Sequence, residues 1–301
     1  MKASVIISTY NRAPFLERVL RTLVEQTEPM DSFEIIVVDD HSGDDTPQVC
    51  KRLQNCFLNF RYIRLTRKSG TASARNAGID SARAKHILFI DDDCIPERDW
   101  IANMRIALGK YPIVAGAITS ASSPYFLLCH NISEFHGVMF GRKTAFVDFI
   151  AGANMGFQHY VLDALNGFWP QSKHAEDMEI ILRARSQGYR IFFAPNAKVV
   201  HDPPGRRTLA EIVQYSVRHA EITVHLRNRY RELLQTPLIL RSSLLTLLFS
   251  PIIASAVTLQ MYCRNKTIRK WPWTMPLVFI LKLSWCWGAA RGIKEQTMAG
   301  E

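Results

Sequence analysis

The chain has 301 residues, 48% hydrophobic and 21% charged, with a formal net charge of +10. That composition requires a packed core, leaves room for one large domain or two, and excludes global disorder. The charge is uneven: residues 203–301 carry 14 Lys and Arg against 5 Asp and Glu, while residues 1–202 carry 23 against 22.

The basic third is also the most apolar, which favours anionic lipid over nucleic acid as its partner. The cysteines at 50, 56, 94, 129, 263 and 286 form no Cys-x-x-Cys pair. They read as reduced thiols in a cytosolic compartment, not as a disulfide framework or a zinc site. The first residues hold one Lys and a short strand-like run, too short for the apolar core of a signal peptide.

In chain order, Ala3 to Ser8 is β-branched and reads as a strand, followed by a turn at Thr9–Arg12. Ala13 to Gln26 has a helical period, with Phe15, Leu16, Val19, Leu20 and Leu23 on one face. Phe33 to Val38 is a second buried strand, ending in Asp39-Asp40 and a Gly- and Asp-rich turn. A helix over Thr46–Leu53, a strand over Arg61–Leu65 and a helix from Thr71 to about Ala82 follow. Ile87 to Ile90 is apolar without a break and runs into Asp91-Asp92-Asp93. The alternation of strand and helix predicts an α/β fold with a mostly parallel sheet and helices on both faces.

An acidic run is ordinarily a solvated turn. This one closes a buried strand, and in an open parallel sheet the strand C-termini share one ligand-binding edge. Asp39-Asp40 lies at the same edge. Hard divalent cations, Mg²⁺ or Mn²⁺, take oxygen ligands and bridge carboxylates to phosphates. The two turns therefore point to a nucleoside diphosphate, with Asp40 accepting hydrogen bonds from base or ribose and Asp93 serving the cation.

Further along, Ile113–Ile118 and Thr144–Ile150 read as strands. Cys129, His130, Glu134 and His136 between them match no common metal spacing, and a loop or short helix is expected there. Ile150–Gly156 is a small-residue turn that lets a sugar or the sheet approach closely. Ala175–Gln187 reads as a helix with Glu176 and Asp177 in its first turn. Arg183 is left without chemistry. Arg190–Phe193 and Lys198–Val200 read as strands, the second closed by His201.

Val5-Ile-Ile-Ser-Thr-Tyr-Asn-Arg12, Val37-Val-Asp-Asp-His-Ser42, Ala74-Arg-Asn-Ala-Gly78 and Phe89-Ile-Asp-Asp-Asp93 together resemble the family 2 glycosyltransferases of GT-A fold. Gly152-Ala-Asn-Met155, Ala175-Glu-Asp-Met-Glu179 and Gly188-Tyr-Arg-Ile191 fit the same family, so the resemblance covers roughly residues 2–202. It implies a metal-dependent, inverting transfer from a nucleotide-diphosphate sugar to a saccharide or lipid-linked acceptor hydroxyl. Under it, Asp177 is the catalytic base. Ser8, Thr9, Tyr10, Arg12, Asp40, Arg75, Asp91 and Asp92 hold the nucleotide sugar. Gly152, Ala153, Asn154 and Glu176 face the acceptor, and Asp93, Asp91 and His201 serve the cation.

Two rivals come from other classes. A nucleotidyltransferase should carry a Gly-rich basic loop after its first strand, where this chain has Ser-Thr-Tyr-Asn-Arg. An inactive membrane scaffold should have lost the acidic turn or Asp177, and both are present.

The catalytic domain is expected over residues 1–204 and a helical membrane-associated region over 205–301. Thr208–Arg231 carries apolar residues at helical spacing together with several Arg. Ser242–Cys263 is uncharged for 22 residues but holds Pro251, and Trp271–Ala290 is Trp-rich with Lys282 near its middle. Two spans would place Arg264, Lys266, Arg269 and Lys270 outside, against the positive-inside rule. A re-entrant or interfacial hairpin at the cytosolic membrane face is the preferred expectation.

Overall fold

The computed structural model describes residues 1–119, 124–172 and 175–299. They fall into two compact units, one drawn from Met1–Thr119 and Lys143–Pro203, the other from Ser120–Arg142 and Pro204–Glu301. The segment before 142 thus groups with the C-terminal residues, where the sequence had suggested one unbroken domain to 204.

In chain order the elements begin with β1 (Ala3–Thr9), α1 (Ala13–Val24), β2 (Phe33–Asp39), α2 (Thr46–Leu53), β3 (Phe60–Arg64), α3 (Thr71–Ser81) and β4 (His86–Ile90). Next come β5 (Cys94–Pro96), α4 (Trp100–Leu108), β6 (Ile113–Thr119), α5 (Tyr125–Phe135), β7 (Ala145–Val147) and β8 (Asn154–Gln158). The chain continues through α6 (His159–Ala164), α7 (Glu176–Ser186), β9 (Ile191–His201), α8 (Leu209–Arg229), α9 (Ser243–Leu248), α10 (Ser250–Arg264) and α11 (Met275–Ala299).

The sheet of the first unit has the order β3-β2-β1-β4-β8-β6-β9-β5, with β7 on β9. β3, β2, β1 and β4 are parallel, as the alternation predicted, and α3 packs on β1 and β2. β2 and β4 are buried at every residue, which is why Ile35–Val38 and Ile87–Ile90 read as apolar runs. The departure from the expected sheet is β8. It lies antiparallel between β4 and β6, pairing Ile90 with Asn154 and Ala115 with Met155. Of the strand expected over Thr144–Ile150, only Ala145–Val147 pairs. The two strands expected at 190–193 and 198–200 are one, β9, whose register on β6 shifts between Gly116 and Ala117.

The second unit is helical. α8 starts at a capping box: Glu211 N donates to Thr208 Oγ1 at 3.3 Å, and Thr208 N donates back to Glu211 Oε2 at 2.9 Å. α11 lies against it closely enough that a Cβ on Gly288 would stand 2.1 Å from the Val217 carbonyl oxygen. One face of the Trp-rich run is core, with Val278, Leu281, Cys286, Ala289 and Ala290 buried, while Trp273 and Trp287 are exposed. The uncharged run is two short helices, because Pro251 cannot continue α9 and instead sits in the first turn of α10. Lys282, on α11, donates to the Ser133 carbonyl at 2.8 Å. Among the described residues, no helix is long and apolar enough to cross a membrane.

Candidate active site

The C-terminal ends of β1, β2 and β4 open on a cleft of about 430 Å³. Ser8, Thr9, Tyr10 and Arg12 line it after β1, Asp40 after β2, and Asp91, Asp92 and Asp93 after β4. Thr71, Ala74 and Arg75 of α3 and Glu176 of α7 complete the wall.

The three aspartates have three environments. The Asp91 side chain is 34% exposed, against 4% for Asp92 and 7% for Asp93. Because β1 is the sheet neighbour of β4, the turn after β1 reaches the buried pair. Thr9 Oγ1 donates to Asp92 Oδ2 at 2.7 Å. Arg12 Nη1 bridges Asp92 Oδ1 at 2.9 Å and Asp93 Oδ2 at 2.8 Å. Burial drives the Asp92 carboxyl upward, with Arg12 opposing and Asp93 adding repulsion.

His201 reaches the turn through backbone register, since β5 pairs antiparallel with β9 and sets Cys94 opposite His201. Its Nε2 lies 3.8 Å from Asp93 Oδ1. That exceeds hydrogen-bond length but suits two ligands of one cation, which at about 2.1 Å each from the ion stand about 3–4 Å apart. The hard oxygen donors of this turn, with one imidazole, fit Mg²⁺ or Mn²⁺. Among the described residues, no group of three or more His, Cys, Asp or Glu is placed to hold a metal ion. Asp91, expected beside Asp93 at the cation, has its Oδ1 2.9 Å from Arg75 Nη2.

Arg75 lines the cleft, as expected of a donor-site residue, and is already paired there. It is buried, and its guanidinium donates to Asp91 Oδ1 and Glu176 Oε1 at 2.9 Å each and to the Gly152 carbonyl at 3.2 Å. It ties the β4 turn to the start of α7. Asp40 is also engaged: it accepts the Ser69 and Gly70 amides at 2.6 and 2.8 Å and so fixes the entry to α3. It lines the cleft and holds the backbone that shapes it.

Asp177 Oδ2 accepts the Gly152 amide at 3.0 Å, and Oδ1 accepts Met178 N at 2.7 Å. A Cβ on Gly152 would stand 2.7 Å from Asp177 Oδ2, so this approach requires glycine. Asp177 does not line the described cleft; its neighbour Glu176 does. Burial pushes the Glu176 carboxyl up to about 7, against the pull of Arg75 and with added repulsion from Asp177. Ala153 is buried. Asn154, expected at the acceptor, is a core residue. Its side chain is fully buried, donating to the Ala117 and Ala197 carbonyls at 3.1 and 2.9 Å and accepting Trp100 Nε1 at 2.9 Å.

The sequence did not single out Thr71 and Ala74 as lining the cleft, although the Ser-Gly-Thr helix start that places them was legible. Lys68 was also missed; its Nζ stands 3.8 Å from the centroid of the exposed Tyr10 ring.

The profile described as "Glycosyl transferase family 2" matches residues 4–162, and "Glycosyl transferase family group 2" matches residues 86–290. The chain is similar to Glycosyltransferase AglE of Haloferax volcanii, 32% identical over 230 residues, which is 75% of each protein. The likeness to poly(ribitol-phosphate) beta-N-acetylglucosaminyltransferase TarS of Staphylococcus aureus is shorter: 37% over 94 residues, 31% of this chain and 16% of that one. Among solved structures, mannosyltransferase PcManGT from Pyrobaculum calidifontis, in complex with GDP-Man and Mn²⁺, superposes with a TM-score of 0.60 at 21% identity, covering 100% of this chain and 76% of that one. TarS 1-349 in complex with UDP gives 0.57 at 18%, covering 100% and 92%. At these identities the structural likeness is one of fold.

Proposed function

The chain belongs to glycosyl transferase family 2, and from that premise we propose that it moves a sugar from a nucleotide-diphosphate sugar to an acceptor hydroxyl with inversion at the anomeric carbon. The acceptor is a saccharide or a lipid-linked glycan, and the setting is cell-surface polysaccharide or glycolipid synthesis at the cytosolic face of a membrane. Relatives act on poly(ribitol-phosphate) and on an undecaprenol-linked glycan by their names, which supports that acceptor class.

One observation carries the reading. The cleft at the sheet edge is lined by five carboxylates and only two guanidiniums, and those guanidiniums are already paired with the carboxylates. A diphosphate would be repelled by such a wall unless a divalent cation entered with it. Asp93 and His201 would hold that cation, with Asp91 facing the same opening. When bound, it supplies positive charge to the departing diphosphate. Arg12 keeps the Asp92–Asp93 pair in place, Asp40 holds the start of α3, and the Ser8–Tyr10 segment lies where the base would rest.

In the transfer, the acceptor oxygen forms a bond to the anomeric carbon as the bond from that carbon to the diphosphate oxygen breaks. The acceptor proton passes to a carboxylate at the start of α7. Asp177 is the base in this reading, its carboxylate oriented by the Gly152 and Met178 amides. A second reading assigns the proton to Glu176, favoured by its place in the cleft wall and a carboxyl raised to about 7. Asp177→Asn lowers transfer by about 10²–10⁴-fold with donor binding kept if Asp177 is the base. The same loss confined to Glu176→Gln transfers the role to Glu176.

The direct test is a screen of nucleotide sugars for diphosphate release with and without Mn²⁺, followed by NMR of the product. Release that needs the metal and an inverted anomeric centre are expected. A retained configuration contradicts the inverting mechanism.

A further inference from the structure

In the second unit, α9 and α10 reverse the usual placement of polar and apolar side chains. Leu244, Leu248, Ile252 and Leu259 are 74%, 67%, 66% and 60% exposed, and Leu245 and Leu247 are exposed beside them. Thr246 and Thr258 on the same helices are buried. Thr246 Oγ1 turns inward, where the Ile239 and Ser242 carbonyls accept from it at 3.0 and 2.8 Å. Single exposed leucines are ordinary, but a contiguous exposed apolar face marks a surface that something other than water covers.

The sequence around this face indicates what covers it. No Asp, Glu, Lys or Arg lies between Arg241 and Arg264. Exposed Arg241 stands at one end of the run, and exposed Arg264, Lys266 and Lys270 stand at the other. No carboxylate occurs between Glu232 and Glu295. A second copy of this face would bring cation against cation, with no acid to answer them. An anionic bilayer surface answers both features, since its acyl boundary takes leucines and its phosphates take Arg and Lys. α10 has 15 residues and α9 has 6, short of the roughly 20 that a span requires. Trp273, beside these cations, is 59% exposed, the place tryptophan favours at a membrane–water boundary.

We propose that α9 and α10 lie in the plane of an anionic bilayer, with Leu244, Leu248, Ile252 and Leu259 in the acyl boundary and Arg241, Arg264, Lys266 and Lys270 at the phosphates. The helix α11, despite its tryptophans, forms the core on which this face is built. The inference deepens the membrane location proposed above, and its readout, vesicle binding, needs no donor or acceptor.

The test is flotation of the full chain with phosphatidylcholine vesicles, with or without phosphatidylglycerol. Wild type should float with the anionic vesicles and much less with the neutral ones. The triple variant Leu244→Ser, Leu248→Ser, Ile252→Ser should bind about tenfold more weakly or worse. Lys266→Gln with Lys270→Gln should weaken anionic binding by about fivefold per charge and leave neutral binding unchanged. Circular dichroism and metal-dependent diphosphate release of both variants in solution should match wild type, which separates a lost surface from a lost fold. Wild-type binding by the triple variant overturns the proposal. So does a wild type that ignores vesicles and is a dimer by light scattering, converted to monomer by the same substitutions, since a second copy then covers the face. Either result leaves the transferase reading standing, because diphosphate release is measured apart from the vesicles.

Discussion

The two acidic turns of the first unit have similar sequences and do different work. After β2, Asp39 accepts the Ser42 amide at 2.7 Å and the Tyr62 hydroxyl at 2.5 Å, while Asp40 accepts the Ser69 and Gly70 amides. That turn spends its carboxylates on its own backbone and neighbours. After β4, Asp92 and Asp93 share one guanidinium, and Asp91 is partly open to the cleft. A carboxylate surrounded by backbone amides is scaffold. Carboxylates crowded together with too few cations are a site that awaits positive charge.

The comparison breaks most sharply at Asp93. Asp93→Asn removes charge without volume and should cut metal-dependent turnover by about 10²–10³-fold, with the thermal midpoint unchanged or raised because repulsion within the turn falls. Near-normal activity at low Mn²⁺ would remove Asp93 from the cation. Gly152→Ala is the next largest effect, since the added methyl must displace the Asp177 carboxylate. Transfer should fall by about 10–10²-fold with donor affinity kept, which steady-state kinetics beside nucleotide titration would resolve.

Asp40→Asn should act in the opposite sense to Asp93→Asn. An amide facing the Ser69 and Gly70 N–H groups sets donor against donor, costing about 1–3 kcal/mol of stability, with turnover reduced less than at Asp93. Equal effects on activity and stability at the two turns would erase the distinction.

The smallest effect concerns the opposite end of β4. His86 is buried, its Nδ1 has no hydrogen-bond partner among the described residues, and burial with nearby Lys85 and Arg105 lowers its imidazole to about 4. The unfolded chain then takes up the proton first. Stability should fall as pH drops from about 6.5 to about 4, and His86→Gln should flatten that slope in thermal melts across the window.

Much of the fold was legible because β1, β2 and β4 hold apolar runs, Val5–Ile7, Ile35–Val38 and Ile87–Ile90, and the last two run into acids. What escaped was sheet order. Asn154 reads as a residue of a small, open turn, yet the antiparallel register that sets it opposite Ile90 carries its side chain into the core beside Trp100. The Arg12 bridge to Asp92 and Asp93 required β1 to be the neighbour of β4, which neither strand's residues declare. β9 looked like two strands because Pro195-Asn196 interrupts its apolar pattern. α5 reads from sequence only as a loop or short helix because apolar and polar residues are mixed around it, and its hydrophobics pack on helices far along the chain.

The central claim is that the turn after β4 joins a divalent cation to a nucleoside diphosphate. Calorimetric titration of UDP and GDP into wild type and Asp93→Asn, with and without Mn²⁺, tests it most directly. The account predicts that Mn²⁺ tightens binding of at least one of the two diphosphates to wild type by about tenfold or more and leaves its binding to Asp93→Asn unchanged. Equal tightening in both proteins, or none in wild type, would contradict it.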